Sequence, residues 1–324
     1  MPTYSMRLIA ASLAAFALAP AMAADAAWPT RPITLMIPYP PGGSADLLAR
    51  PIAAKLESRL GQPVVLDYRP GAGGSIATAS LARAEPDGHT MLMVLAAHAI
   101  NVSLYPKLPY DTRKDFAPVS LVATLPLLVA APLATPADSM PAVVQYAKAN
   151  PGKLTYASAG PGNTSHLAAA MFAQTAGVDM VHIPYKGSGP AVVALLSGEV
   201  SLMFDSISTS LPHVKSGKLK ALAVTGEARS PLLPDVPTVR ESGAADFAVD
   251  GWYGIIAPAG TPASAIDRFN SAIREVIAEA PVREQLESYG YAMVGSTPQA
   301  FGDHITAEID RWGEVVQASG AKVE

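Results

Sequence analysis

The sequence predicts an α/β protein made of two units, each a parallel sheet flanked by helices. Short apolar runs alternate with segments whose apolar residues recur at helical spacing, the βαβα order of a parallel sheet. The alternation runs twice, over the first hundred residues and again from Leu127 onward. The chain has 324 residues, room for two domains at roughly 100–200 residues each.

The first unit opens with Ile33–Ile37, an apolar run bounded by Pro32 and Pro38 and read as a buried strand. Leu47, Leu48, Ile52 and Leu56 then share a helical face that stops at Gly61. Val64–Leu66 begins a second strand, Ile76–Ala84 a second helix and Thr90–Leu95 a third strand. In the second series Leu127–Ala131 is a strand, Met140–Ala149 a helix, Leu154–Ala157 a strand, His166–Gln174 a helix and Val181–Ile183 a strand. Ala191–Leu196 is helical up to Gly198, and Leu202–Asp205 and Leu219–Val224 are strands. Residues 229–250 hold three prolines and no period, which reads as a long loop. Gly251–Ala257 is a strand. Beyond Thr261-Pro262, Ile266, Phe269, Ile273, Val276 and Ile277 share a face, and Ser264 and Asp267 have capping-box spacing. Glu284–Tyr289 and Phe301–Gln317 are helical. The chain crosses between units near Thr124–Leu127 and Asp250–Gly254, so the C-terminal helices complete the first unit.

The N-terminus reads as an export signal. Arg7 is the only charge before Asp25, an apolar run spans Leu8–Ala19, and Ala21-Met22-Ala23 forms an A-x-A cleavage site. That run is too short to cross about 30 Å of hydrocarbon. Cleavage after Ala23 removes 23 of 324 residues and leaves 301, with 22 basic against 27 acidic side chains, a net −5. Export of a protein with no transmembrane stretch places it in the periplasm. Half the residues are hydrophobic, which excludes a disordered chain. A formal charge of −4 for the whole chain argues against a nucleic-acid partner. There is no Cys, hence no disulfide, thiol nucleophile or Cys-ligated metal. The six histidines never take a metal-ligand spacing, and no G-x-S-x-G elbow occurs. No cofactor, metal or catalytic group is called for.

The sharpest chemistry lies in two glycine-rich loops, each joining a strand end to a helix start. The first supplies Tyr39, Pro41, Gly42, Gly43, Ser44 and Asp46; the second supplies Gly71, Ala72, Gly73, Gly74 and Ser75. Helix N-termini present unpaired N–H donors and a positive partial charge, and glycine lets a ligand come close. Two such ends side by side make an anion site without Lys or Arg, best suited to a carboxylate. Neither loop is a Walker A or a dinucleotide fingerprint. Asp46 either caps its helix or contacts ligand; Tyr39 either walls the pocket or packs. In the second unit Ser158, Gly162, Asn163, Thr164 and Ser165 form the corresponding loop. Tyr185-Lys186-Gly187 opens another strand-end loop, and Asp205 ends a strand where it either meets a ligand or braces the crossing. His98 stands near a strand end as a pocket candidate or a structural histidine.

These segments together resemble a known family. The chain carries W-P-x-R-P-I-T at Trp28–Thr34, P-x-P-P-G-G-x-x-D at Pro38–Asp46 and R-P-G-A-G-G at Arg69–Gly74. His98-Ala99-Ile100-Asn101, Ser158–His166, Tyr185-Lys186-Gly187, Met203-Phe204-Asp205, Leu233–Thr238 and Ile256–Pro262 follow. The whole run is similar to the Bug-type (TctC-like) substrate-binding proteins of tripartite tricarboxylate transporters. The resemblance implies a type II periplasmic binding protein: two doubly wound α/β lobes joined by a two-stranded hinge, a Venus flytrap. Lobe 1 would be residues 24–125 and 252–324, and lobe 2 residues 126–251. It implies a monomer that holds one ligand carboxylate on Pro41–Ser44 and Gly71–Ser75 and the rest of the ligand on Ser158–Ser165. Asp205 matches the family's Phe-Asp pair at the cleft. The implied ligand is a mono-, di- or tricarboxylate, an aromatic carboxylate or an acidic amino acid, delivered to transporter membrane subunits. A receptor signalling to a sensor kinase and an exported enzyme on the same fold are the alternatives. Ser206 and Tyr68 stand where the family more often has Asn.

Overall fold

The structure is a computed structural model that describes residues 28–319. The expected export signal and its cleavage after Ala23 lie outside those residues. The described chain runs β1 (Ile33–Ile37), α1 (Ser44–Leu60), β2 (Val64–Tyr68), α2 (Ser75–Leu81), β3 (Thr90–Leu95), α3 (Ala97–Leu104), β4 (Phe116–Pro132), α4 (Met140–Ala149), β5 (Leu154–Ser158) and α5 (Thr164–Ala176). It continues with β6 (Met180–Pro184), α6 (Ser188–Ser197), β7 (Leu202–Ser206), α7 (Ile207–Lys215), β8 (Leu219–Val224), β9 (Asp250–Pro258), α8 (Ala263–Ala278), α9 (Ala280–Ser288), β10 (Ala292–Met293) and α10 (Pro298–Ser319).

The strands follow the path β2-β1-β3-β9-β4-β7-β5-β6, with β8 and β10 added on β4. β4 belongs to both halves. Its stretch from Phe116 to Pro126 pairs with β9, and from Leu127 on it pairs with β7 and β8. Each half repeats one order: β2-β1-β3 then antiparallel β9, and β6-β5-β7 then antiparallel β4. Two α/β halves joined by the antiparallel strands β4 and β9 are what the sequence predicts.

Burial on both faces explains the apolar strands. In β1, Ile33, Leu35 and Ile37 enter one apolar layer and Met36 the other; in β3, Met91 and Met93 oppose Leu92 and Val94. α1 ends where Gly61 takes φ 75 and returns its N–H to the Glu57 carbonyl. α8 buries Phe269, Ile273, Val276 and Ile277 and packs on α1. α10 packs on α3 and β4, where buried Glu308 accepts the indole N–H of both Trp252 and Trp312 at 2.8 Å.

Several elements differ from expectation. β4 starts at Phe116, well before the apolar run at Leu127. Its register with β9 shifts between Pro118 and Ser120 and between Leu121 and Ala123. Such irregularities accommodate a proline's missing N–H and break the alternation by which a strand is read. α3 and α7 follow their strands with no Gly or Pro break; α3 has Ala96 as N-cap and no start signal, and α7 has only the single Ser206. α2 is shorter, Ser75–Leu81. The Ser264–Asp267 capping box does not form: Pro262 is the N-cap, so Ser264 falls inside the first turn of α8.

Candidate ligand-binding cleft

The carboxyl ends of the parallel strands in both halves face one cavity, the placement expected for a ligand in an open α/β sheet. The space between the walls is narrow and opens to solvent. Tyr39–Ala45 (except Gly42) and Leu95 line it from one half; Ala159, Asn163, Thr164, Gly187–Pro190 and Ser206 line it from the other. Leu127 on β4 and Gly251, Trp252 and Tyr253 on β9 close it where the strands cross between halves.

Three helices begin on this wall without a side-chain cap: α1 after Gly43, α6 after Gly187 and α7 after Ser206. The fourth, α5, is capped by Asn163, whose carbonyl oxygen accepts the Ser165 N–H at 3.0 Å. Uncapped first turns leave backbone N–H groups unsatisfied. Among the described residues, no Lys, Arg or His side chain lines the cavity. The helix starts thus bring positive partial charge to the wall.

The two halves also touch each other here. Asn163 Nδ2 donates to the Tyr39 hydroxyl at 2.9 Å, and the Ser44 and Ser206 hydroxyls lie 3.3 Å apart. Ser206 is also 3.3 Å from the Tyr253 hydroxyl. Tyr291 donates to the Ser44 carbonyl at 2.5 Å and meets Ser208 of α7 at 3.3 Å.

The expected site residues divide into wall and support. Tyr39, Pro41, Gly43, Ser44, Asn163 and Thr164 reach the cavity. Gly42 and Asp46 stand behind it: the Asp46 carboxylate accepts the Gly42 N–H at 2.8 Å, the Tyr68 hydroxyl and Arg50 at 2.9 and 3.0 Å. Burial would raise its pKa, but Tyr68, Gly42 and Arg50 outweigh that and hold it below the ordinary value. The structure therefore gives Asp46 the bracing role, and Tyr68 ties the two glycine-rich loops together.

Gly71, Ala72, Gly73, Gly74 and Ser75 do not line the cavity. Gly73 and Gly74 border a separate narrow crevice with Thr78 and His98, and Tyr39 stands between the two spaces. Gly73 serves the meeting of the halves: a Cβ there would lie 3.0 Å from the Pro161 carbonyl oxygen. Ser158, Gly162 and Ser165 lie under the wall, with Ser165 Oγ accepting the Ala159 N–H at 2.9 Å. Tyr185 points outward to Glu199 at 3.1 Å. Asp205 is buried beneath the start of α7, accepting from Thr209 and, at 2.6 Å, from Ser210. Sequence reasoning missed Ser188–Pro190, Trp252 and Tyr253; it named Gly187 in the Tyr185 loop and Ser206 as a departure from the family pattern. The first of these had a signal, since Gly187-Ser188-Gly189-Pro190 is a fourth glycine-bearing join of strand to helix.

Burial holds the phenols and the His98 imidazole near the cleft in their neutral forms. Burial pushes the Tyr39 and Tyr253 phenols up to about 12. Burial also raises Asp205 to about 6, against the pull of the Ser210 and Thr209 hydroxyls. His98 packs edge-on against Phe116, with neither ring nitrogen partnered, and burial pulls it down to about 4. Below its ordinary value of 6.5 the unfolded chain takes up a proton that folded His98 refuses, so stability is lost as pH falls from 6.5 toward 4. Asp205 acts in the opposite sense: its contribution is present below 3.8 and is lost as pH rises toward 6. His98→Leu separates the two. In urea titrations its loss of stability between pH 7 and pH 5 should be smaller than wild type's by about 2 kcal/mol, at 1.36 kcal/mol per pKa unit. Parallel pH profiles for the two proteins would show that the folded ring carries its proton.

The profile of the family described as "Tripartite tricarboxylate transporter family receptor" (TctC) matches residues 48–321. BugT of Bordetella pertussis is 38% identical over 324 residues, covering 99% of this chain and 99% of BugT. A solved R. palustris protein with adipate has a TM-score of 0.88 and 34% identity, covering 91% of this chain and 100% of that one. MatC from Rhodopseudomonas palustris with bound malate has a TM-score of 0.85 and 35% identity, covering 89% of this chain and 100% of MatC.

Proposed function

Because the chain belongs to the TctC family of tripartite tricarboxylate transporter receptors, we propose that it captures a small carboxylate anion in the cleft and delivers it to transporter membrane subunits. The observation that carries the reading is the convergence of three uncapped helix starts on a cavity that, among the described residues, has no cationic side chain. A carboxylate there would accept the N–H groups that no side chain takes. The adipate and malate in the two related structures support the ligand class. Residues 24–125 and 252–324 act as one lobe and 126–251 as the other, closing about β4 and β9 as a hinge. Capture takes place in the periplasm after the export signal is cleaved. Binding rather than catalysis fits the wall: its hydroxyls Ser44, Ser206 and Tyr253 approach one another and no imidazole.

Thermal shift tests the reading. A carboxylate present at a hundred times its Kd adds about 2.7 kcal/mol to native stability and raises Tm. Malate and adipate are the first probes, with the diamides of both as uncharged controls that should give no shift. No shift with any mono-, di- or tricarboxylate would overturn the carboxylate reading. Delivery predicts that uptake of the same anion disappears when the receptor gene is deleted.

A further inference from the structure

Behind the wall formed by residues 158–164, three aromatic rings stack. Tyr156 lies on His182 with centroids 5.0 Å apart, and His182 on His166 at 4.0 Å. Tyr156 and His182 are register partners on β5 and β6, and His166 is in the first turn of α5.

Both imidazoles hydrogen-bond to the loop. The Gly162 N–H donates to His166 Nδ1 at 3.3 Å, so that nitrogen bears a lone pair. Ser158 Oγ lies 2.6 Å from His182 Nε2 and accepts the Gly160 N–H at 3.2 Å. Ser158 is fully buried, and its own O–H has an acceptor only if His182 Nε2 is unprotonated. His182 must then carry its proton on Nδ1 and His166 on Nε2, with both rings neutral. The loop they hold supplies Asn163 and Thr164 to the cavity. Its Pro161 and Gly162 meet Gly73, Asn101 and Leu104 across the cleft.

We propose that His166 and His182 are positioning residues of the cleft: stacked, neutral and in opposite tautomers, they hold the 158–163 loop in its binding shape. A proton on either ring turns an acceptor toward a donor and releases the loop. The groups acting on the rings, among the described residues, are the two imidazoles themselves and the Tyr156 phenol stacked beside them; no carboxylate, lysine or arginine does so. Burial keeps both neutral, His166 down to about 4 and His182 down to about 3, where a charge on His166 also opposes a second proton.

The proposal rests on the cleft being the ligand site, and its test has one arm that needs no ligand. Long-range proton–nitrogen spectra of the whole protein at pH 7 should show His182 protonated on Nδ1 and His166 on Nε2. The reverse tautomers, or a charged ring, would overturn the proposal. The second arm uses matched amides, since the carbonyl oxygen of Asn falls near a histidine's Nδ1 and that of Gln near its Nε2. His166→Asn and His182→Gln keep the acceptor, whereas His166→Gln and His182→Asn misplace it; all four lose the ring stack. Malate and adipate affinities of the matched pair should stay within about threefold of wild type. The mismatched pair should bind at least about tenfold more weakly, the expected cost of a buried donor left unpaired. Equal losses in both pairs would reduce the histidines to packing groups. If no mono-, di- or tricarboxylate binds wild type, the carboxylate reading fails instead. The spectra then decide the tautomers alone, and the Gly160 and Gly162 amide signals should still move only in the mismatched variants.

Discussion

Gly254→Ala is expected to destabilise the protein by about 3 kcal/mol, the upper end of what overpacking costs. Gly254 sits in β9, paired with Val94 of β3 on one side and Leu121 of β4 on the other. A Cβ there would lie 2.0 Å from Phe301 Cζ and 2.6 Å from Cε1 and Cε2. Phe301 is fully buried in α10, with Trp252 edge-on at 5.8 Å and His304 stacked at 6.4 Å, so its ring has nowhere to retreat. Neither can the backbone yield cheaply, because β9 is bonded on both edges. The strand also runs into the cleft through Trp252 and Tyr253, so a shift would reach the cavity wall. Urea unfolding gives the cost of Gly254→Ala, of Phe301→Leu and of the double variant. The double variant should be more stable than the sum of the single losses predicts, by at least about 1 kcal/mol, since the smaller side chain makes room for the methyl group. Strict additivity would mean that the two positions do not collide.

The same pair of residues shows where the sequence is legible and where it is not. Phe301 reads as apolar helix and Gly254 as part of a strand, but their meeting depends on α10 folding back over β9. Strands buried on both faces, such as β1 and β3, announce themselves because all but one position in each is apolar. β4 does not, since Pro118 and Pro126 interrupt it and its pairing with β9 slips twice. The cleft was legible to the extent that a wall residue sits in a glycine-bearing strand-to-helix join. Pro38–Ser44 and Gly71–Ser75 look alike as local sequence, yet Tyr39 stands between the second loop and the cavity. Asp46 shows a similar limit. Its helical partner Arg50 lies four residues on, whereas Tyr68 reaches it from the neighbouring strand β2. Trp252 and Tyr253 read as core because they are apolar in a buried strand. They become cavity wall only because β9 passes through the middle of the sheet at the point where the halves face each other.

Thr164→Asp should abolish carboxylate binding while leaving the fold intact. Thr164 is on the cavity wall, 5% exposed, at the start of α5, a helix with no acidic residue in its first turn. An aspartate there gains from the helix terminus, about 0.3–1 kcal/mol, which offsets part of its desolvation. A bound anion meets the opposite effect. Two like charges about 5 Å apart repel by about 3 kcal/mol at an effective dielectric of about 20, more than a hundredfold in Kd. Thr164→Asn brings nearly the same shape without the charge, and its affinity should stay within about threefold of wild type. Calorimetry with malate or adipate compares the two variants, and urea unfolding confirms that both remain folded. Equal weakening in both would mean that the wall senses shape and not charge, which would sink the anion reading of the cleft. Salt provides a second discriminator. Repulsion between exposed charges fades once the Debye length falls to about 3 Å at 1 M, whereas repulsion inside a closed cleft is screened much less. High salt should therefore fail to restore binding to Thr164→Asp if ligand and aspartate share the cleft.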